Sequence, residues 1–248
     1  KVTRGQYGSV SSILVARHGR LVFEEYPRWS AGTAHHLQSV TKSVISLLVG
    51  IAVEEGALRV SDRILPVMTS YQPIGNLDDR KAAMSVGDLL TMRSGLDWRE
   101  WPYAGSPLER LHTCRCDWLR LILDWPMREQ PGTRWEYVSG APILLAGTVS
   151  FATGRRFDEF AAERLFSPLG MTGYRWVMYS STPPGLPHAG GGLDLRPRDM
   201  AKLGATHLAG RGACVRVVSR RLYERAQAVA AEVGGEARPF DPEFVFCE

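Results

Sequence analysis

Gln38-Ser39-Val40-Thr41-Lys42-Ser43-Val44-Ile45-Ser46-Leu47-Leu48-Val49-Gly50-Ile51-Ala52-Val53 is the stretch on which the reading of this chain turns. Apolar residues run almost unbroken from Val44 to Val53, charge returns at Glu54-Glu55, and Gly56 supplies a stop, so the pattern predicts one helix buried nearly all round. Ser39 stands three residues before Lys42. If the helix begins at Ser39, that separation sets hydroxyl and amine on one face, a turn apart, with the amine in reach of the hydroxyl proton. An amine in such poorly solvated surroundings is suited to the role of a base, and the helix start offers backbone N–H groups to an oxyanion forming at Ser39. Alone, Ser-x-x-Lys is a weak signal. With four lysines and 18 serines in the chain, roughly 0.3 matches arise by chance, and an N-cap serine beside a solvated lysine is the plain alternative.

Composition narrows the frame. The 248 residues are 44% hydrophobic and 23% charged, an ordinary globular balance with chain enough for a sizeable core. The longest apolar run falls far short of the ~20 residues that cross a bilayer, and no signal-peptide pattern opens the chain. It begins at Lys1 rather than Met, as expected of a processed or excised product. The net charge is +4, but 26 arginines are scattered among 26 acids with no basic stripe, which argues against nucleic acid as a partner. Cys114, Cys116, Cys214 and Cys247 form no disulfide-scaffold pattern, and Cys114 and Cys116 are too close to pair comfortably within a helix. His112, Cys114 and Cys116 have the wrong spacing for a zinc chelate and no second ligand pair follows, so no metal is expected. His18, His35, His36, His188 and His207 read as turn or helix-end residues. No Gly-x-Ser-x-Gly elbow calls for a histidine partner, which disfavours a Ser-His-Asp triad.

Along the chain, Ser11 to Arg17 and Leu21 to Tyr26 read as two antiparallel strands joined by His18-Gly19-Arg20. Ser85 with Asp88 has the form of a capping box opening a helix through Met92. Helical spacing recurs at Asp117 to Leu123, Ala141 to Phe151 before Gly154, Phe157 to Phe166, Pro197 to Leu208 and Ser219 to Val233. Strands thus gather at the N-terminus and helices follow, an α/β or α+β class with a large helical lobe. Trp98, Trp101 and Tyr103 cluster in a loop between Gly95 and Gly105, either as a substrate wall or as a lid on the core. In the loop from Ser180 to Gly192, Gly190-Gly191-Gly192 leaves bare backbone that a ligand or another strand can approach.

Five landmarks occur together: Gln38-Ser39-Val40-Thr41-Lys42-Ser43, Leu89-Leu90-Thr91-Met92-Arg93-Ser94-Gly95-Leu96, Pro131-Gly132-Thr133-Arg134-Trp135-Glu136-Tyr137, Pro168-Leu169-Gly170-Met171, and Gly191-Gly192-Leu193 with Arg198-Asp199-Met200. In kind and order they resemble the beta-lactamase-related serine hydrolases, the family of class C beta-lactamases, D-alanyl-D-alanine carboxypeptidases, esterases and 6-aminohexanoate-dimer hydrolases. The surroundings of Ser39 look most like the last group, and the similarity covers about residues 9 to 230. It implies a beta-lactamase/transpeptidase-like fold with a helical lobe and an antiparallel sheet, read as a single domain over residues 1–248. Within it, 1–38 carry the N-terminal hairpin, 39–210 the mainly helical lobe and 211–248 an incomplete C-terminal part.

The resemblance further implies Ser39 as nucleophile, Lys42 as its proton acceptor and Tyr137 as the group that relays the proton. The reaction implied is cofactor-free cleavage of a small ester or amide, such as a beta-lactam or a short oligoamide, through an acyl-enzyme. Ser139, Trp98 and Trp101 are the substrate-binding candidates. Many members read Tyr-x-Asn where this chain has Tyr137-Val138-Ser139, so an amide contact made there by Asn is not carried over. The family's third motif, on a strand that supplies the second oxyanion donor, has no counterpart except Lys202-Leu203-Gly204 inside an expected helix. The chain therefore resembles a member truncated at its C-terminus. Its expected activity is weak, and the alternative is a non-catalytic binding module or a degraded gene product. Compartment stays open, with relatives pointing to the periplasm or the exterior more often than to the cytoplasm.

Overall fold

The apolar run does fold into a helix, α1 (Thr41–Glu54), in a computed structural model that describes residues 8–17, 20–178 and 185–209. Its start differs from the sequence reading. Ser39 lies ahead of α1 in a 3-10 turn over Gln38–Val40, and Val40 holds the N-cap without a side-chain hydrogen bond. Nor is α1 buried all round. Val44, Ile45, Leu48, Val49 and Ala52 face the core, whereas Ser43, Ser46, Gly50 and Glu54 are exposed. These four recur at the spacing of one helical face, and the polar or small residue at each leaves that face to water.

The described residues belong to two compact units, His36–Leu195 and Lys1–His35 with Arg196–Glu248. In the first, α1 is followed by α2 (Asp79–Ala83), α3 (Val86–Leu90), α4 (Pro107–Thr113), α5 (Trp118–Leu123), α6 (Ala141–Thr153) and α7 (Phe157–Ala161), the last running into a π turn over Ala162–Phe166. Every residue of α6 from Ala141 to Val149 is buried, which makes it the axis against which α1, α3, α5 and α7 pack. The one polar side chain in that stretch, Thr148, donates its hydroxyl to the Leu144 carbonyl at 2.8 Å. Gly147 lets α5 sit directly on the α6 backbone, since a Cβ there would stand 2.8 Å from both Leu119 methyls. Each large aliphatic side chain buried in this way contributes roughly 1.5–3 kcal/mol.

Helix starts follow capping chemistry that is local in the sequence. Asp78, Ser85, Ser106 and Asp117 each accept a backbone N–H of the first turn of α2, α3, α4 and α5. At Ser85 the box is reciprocal, with the Asp88 carboxylate receiving the Ser85 N–H at 2.9 Å. Gly154, left-handed at φ 65°, closes α6.

The second unit holds the hairpin of β1 (Ile13–Arg17) and β2 (Arg20–Glu25), antiparallel with Ile13 opposite Glu25 and a bulge between Val15 and Ala16. The last helix among the described residues, α8 (Pro197–Ala209), packs on β1, and Arg198 forks onto Glu24. Lys202-Leu203-Gly204 lies within α8, as expected. Three short strands, β3 (His35–His36), β4 (Arg175–Trp176) and β5 (Leu193–Leu195), form a sheet in the order β3-β5-β4. These late strands amend the expectation that strands gather only at the N-terminus. With two or three residues each, they are too short to leave an alternating pattern in the sequence.

The cysteine reading also needs correction. Cys114 and Cys116 are joined by a disulfide. The expectation against it assumed helix, but α4 stops at Thr113 and Cys114 is extended at φ −73°, ψ 144°. Extended backbone sets the two Cα atoms 5.3 Å apart, within the ordinary span of a disulfide. The helix expected over Ser219 to Val233, with Cys214 and Cys247, lies outside the described residues.

Candidate active site

Ser39 is presented by a backbone held on three sides. Gln38 before it takes the left-handed conformation, φ 52°, a costly setting for a residue with a side chain. The Leu37 N–H bonds to the Leu193 carbonyl at 2.9 Å, and the Leu193 N–H returns to the Thr41 hydroxyl at 3.3 Å. β5 is thereby pinned on both sides of Gln38-Ser39-Val40. The first bonds of the 3-10 turn run from Val40 N–H to Leu37 and from Thr41 N–H to Gln38, which leaves the Ser39 N–H outside the helix's own hydrogen bonds.

The three residues singled out as catalytic candidates meet at one oxygen. Lys42 Nζ donates to Ser39 Oγ at 3.1 Å, and the Tyr137 hydroxyl donates to the same atom at 2.7 Å. The amine also donates to the Gly190 carbonyl at 2.5 Å and lies 4.9 Å from the centre of the Tyr137 ring. Ser39 is exposed, while Lys42 and Tyr137 are half-buried. An accessible hydroxyl with an amine and a phenol in direct contact is an arrangement suited to nucleophilic catalysis at serine.

Tyr137 comes from a stretch without regular structure, so neighbouring contacts must hold it. On one side Glu136 N–H bonds to the Met92 carbonyl at 2.9 Å, and Gly132 N–H to the Arg93 carbonyl at 2.8 Å. Met92 itself adopts the left-handed φ of 56°. Gly95, at φ 77°, is a position where a Cβ would fall 2.5 Å from the Glu129 carbonyl oxygen. The second and third sequence landmarks are thus two faces of one backbone contact. On the other side of Tyr137, Val138 is fully buried and Ser139 is 6% exposed.

The substrate-binding candidates fare differently. Trp98 has no exposed surface and donates its Nε1 proton to Glu100 at 2.8 Å, so it is a core residue rather than a wall facing a substrate. Ser139 turns its hydroxyl onto Glu100 at 3.0 Å, and its N–H goes to the same carboxylate. Its side chain is part of the scaffold. Trp101 is 78% exposed and free of those roles.

Two groups at the site escaped the sequence reading. Glu100, buried beneath Ser139, sits in a loop whose aromatics drew attention instead. His188, read as a turn residue, packs edge-on against Trp118 at 5.0 Å and His112 at 5.4 Å. Burial, reinforced by the nearby charges of His112, Lys42 and His36, pushes its ring down to about 4 from the ordinary 6.5. Its carbonyl receives the Gly192 N–H at 2.8 Å and so folds the glycine turn. At Gly190 a Cβ would stand 2.7 Å from the Ser139 carbonyl oxygen, and at Gly192 2.7 Å from the His188 Cβ. The glycine run, flagged for close approach, therefore approaches the protein's own chain. The Asp194 carboxylate accepts from the His36 ring at 2.7 Å and from the Arg175 guanidinium at 2.6 Å. Among the described residues no group of three or more His, Cys, Asp or Glu is placed to hold a metal, and no helix is long and apolar enough to cross a membrane.

A family model described as Beta-lactamase matches residues 4–242. The 6-aminohexanoate-dimer hydrolase of Paenarthrobacter ureafaciens is 28% identical over 213 residues, 80% of this chain and 52% of that protein. A protein of Escherichia coli K12 named for D-alanyl-D-alanine carboxypeptidase activity is 25% identical over 157 residues, 62% of this chain and 36% of its own length. The chain thus spans about half or less of the curated relatives it matches. Among solved structures, EstCE1, titled a hydrolase with promiscuous acyltransferase activity, superposes with a TM-score of 0.64 at 18% identity, covering 79% of this chain and 66% of that one. The octameric penicillin-binding protein homologue from Pyrococcus abyssi superposes with a TM-score of 0.60 at 20% identity, covering 81% of this chain and 52% of that one, and with the family model it carries the mixed α/β, beta-lactamase/transpeptidase-like fold. With the family model matching nearly its whole length, the chain belongs to the Beta-lactamase family.

Proposed function

We propose that this chain is a serine hydrolase that cleaves an ester or amide through an acyl-enzyme on Ser39, with residues 1–248 forming one domain of the family. The observation that carries the reading is the convergence of Lys42 Nζ and the Tyr137 hydroxyl on Ser39 Oγ at 3.1 and 2.7 Å. Ser39 Oγ attacks the carbonyl carbon as its proton passes to Lys42. The carbon–oxygen or carbon–nitrogen bond to the leaving group then breaks, and that group takes a proton through Tyr137. Water attacks the resulting ester, returns a proton to Ser39 and releases the acid. The Ser39 N–H serves the developing oxyanion. The names of the relatives favour amide and ester substrates of small size, and Trp101, exposed and outside the core, is the remaining candidate for an aromatic contact with substrate.

Labelling with a fluorophosphonate probe, read by peptide mass spectrometry, tests this reading. The expected result is one adduct on Ser39, absent from Ser39→Ala and slowed at least about a hundredfold in Tyr137→Phe. An adduct that persists in Ser39→Ala, or none in the parent protein, overturns it.

A further inference from the structure

Glu100 is 6% exposed and the reaction just described makes no use of it. A carboxylate is expensive to bury unless donors fill its oxygens. Here three do: Trp98 Nε1–H at 2.8 Å and the Ser139 N–H at 2.5 Å on Oε1, and the Ser139 hydroxyl at 3.0 Å on Oε2. Trp98 acts as a pedestal. Its ring meets Trp125 edge-on at 5.4 Å and lies 3.2 Å from the place a Cβ on Gly140 would occupy. The carboxylate therefore sits on a tightly packed base and grips one residue by both its main-chain and its side-chain donor.

That residue is two positions after Tyr137. Glu136, one position before it, is tied to Met92. The span carrying the phenol is thus fastened at both ends, and Glu100 supplies the fastening on the α6 side. A short side chain at 139 suits this grip, because its hydroxyl and its N–H can reach the same carboxylate together.

Resting on the acyl-enzyme reading above, we propose that Glu100 is a positioning residue that holds Tyr137 against Ser39 by clamping Ser139. The clamp replaces any direct role of the 139 side chain toward substrate. Glu100→Ala frees the span, while Glu100→Gln keeps the shape and one acceptor and so retains part of the effect.

Two measurements test the proposal. The rate of fluorophosphonate acylation at Ser39 is compared for Glu100→Ala and Glu100→Gln, each in the parent and in the Tyr137→Phe background. A phenol displaced by about an ångström predicts a loss on the order of thirtyfold for Glu100→Ala and about threefold for Glu100→Gln in the parent, and almost none once Tyr137 is gone. Equal losses in both backgrounds would mean that Glu100 merely supports the fold, and would overturn the proposal. Crystal structures of the two variants give the second reading, independent of activity. The Tyr137 hydroxyl is expected beyond hydrogen-bond distance of Ser39 Oγ in Glu100→Ala, or clearly shifted in Glu100→Gln if the alanine protein does not fold. A distance unchanged from 2.7 Å overturns the proposal. If the parent is never acylated at Ser39, the hydrolase reading falls and the crystallographic distance alone decides the role of Glu100.

Discussion

Lys42 and Lys81 lie in the same unit, each on a helix and each beside a backbone carbonyl, yet the structure uses them in opposite ways. Lys81, on α2, has no exposed surface. It donates to the carbonyls of Gly75 and Leu123, both at 2.7 Å, and burial holds its amine below the ordinary lysine value while Asp124 and Asp78 pull the other way. Leu123 ends α5, and the Gly75 N–H goes to Asp124 at 2.7 Å, so Lys81 ties a helix end to a loop that would otherwise leave carbonyls unpaired. Lys42 is only half-buried, and one of its two acceptors is the Ser39 hydroxyl. A carbonyl takes a hydrogen bond and has no proton to surrender; a hydroxyl has one. The identity of the partner, more than depth, separates a strut from a base. Judged by depth alone, Lys81 is the better candidate for a base, and only the spacing from Ser39 and the family landmarks point to Lys42 instead.

The sharpest way to break this contrast is to remove each amine. Lys42→Met should lower acylation of Ser39 by about a thousandfold or more while leaving the urea midpoint almost unchanged. Lys81→Met should do the reverse. With two buried carbonyls stripped of their donor, stability falls by about 2–4 kcal/mol in urea titration, and the folded fraction still acylates at the parent rate. A folded Lys81→Met protein without acylation, or a Lys42→Met protein as unstable as Lys81→Met, would erase the distinction.

A smaller effect belongs to His188, which shares the neighbourhood of Lys42. Its folded ring titrates near 4, whereas in the unfolded chain it titrates near 6.5. Between those values the unfolded state binds the extra proton, so stability falls as the pH drops through that window, by on the order of 2 kcal/mol for this group. Thermal melts from pH 7 to pH 4 should show a shallower decline in His188→Asn; an identical decline would assign the acid sensitivity elsewhere. The smallest change is local to α3. Ser85→Ala removes one half of the capping box and should cost about 1 kcal/mol with no change in labelling.

Helix caps and turns were legible in the chain, whereas long-range contacts were legible only where a family landmark marked both partners, as for Ser39 and Tyr137, and the short-range Cys114–Cys116 bond was missed because it depends on where α4 stops. The Ser85–Asp88 box, the Asp117 cap read as the first residue of its helix, the Gly154 stop and the β1–β2 hairpin are written within a few residues, and each stands where it was expected to within a residue or two. The fold class followed from their order together with the family landmarks. The rest of what escaped depends on partners far apart in sequence. Glu100 meets Ser139 across 39 positions, Lys42 meets the Gly190 carbonyl across 148, and Lys81 meets Leu123 across 42. No period or spacing encodes such pairs. Trp98 misled for a related reason, since an aromatic in a loop looks alike whether it faces solvent or plugs the core, and only the buried carboxylate beside it settles which.

One anchor of the site has an unusual standing toward mutation. The oxygen of Gly190 that receives the amine belongs to the main chain, and every amino acid that could be written at that position carries the same atom. No codon change deletes it. Substitution can only dislodge it, because any side chain larger than hydrogen would press on the Ser139 carbonyl 2.7 Å away. This half of the amine's setting is therefore inherited as a matter of shape, and drift at that point would surface as a misplaced backbone rather than as a lost functional group.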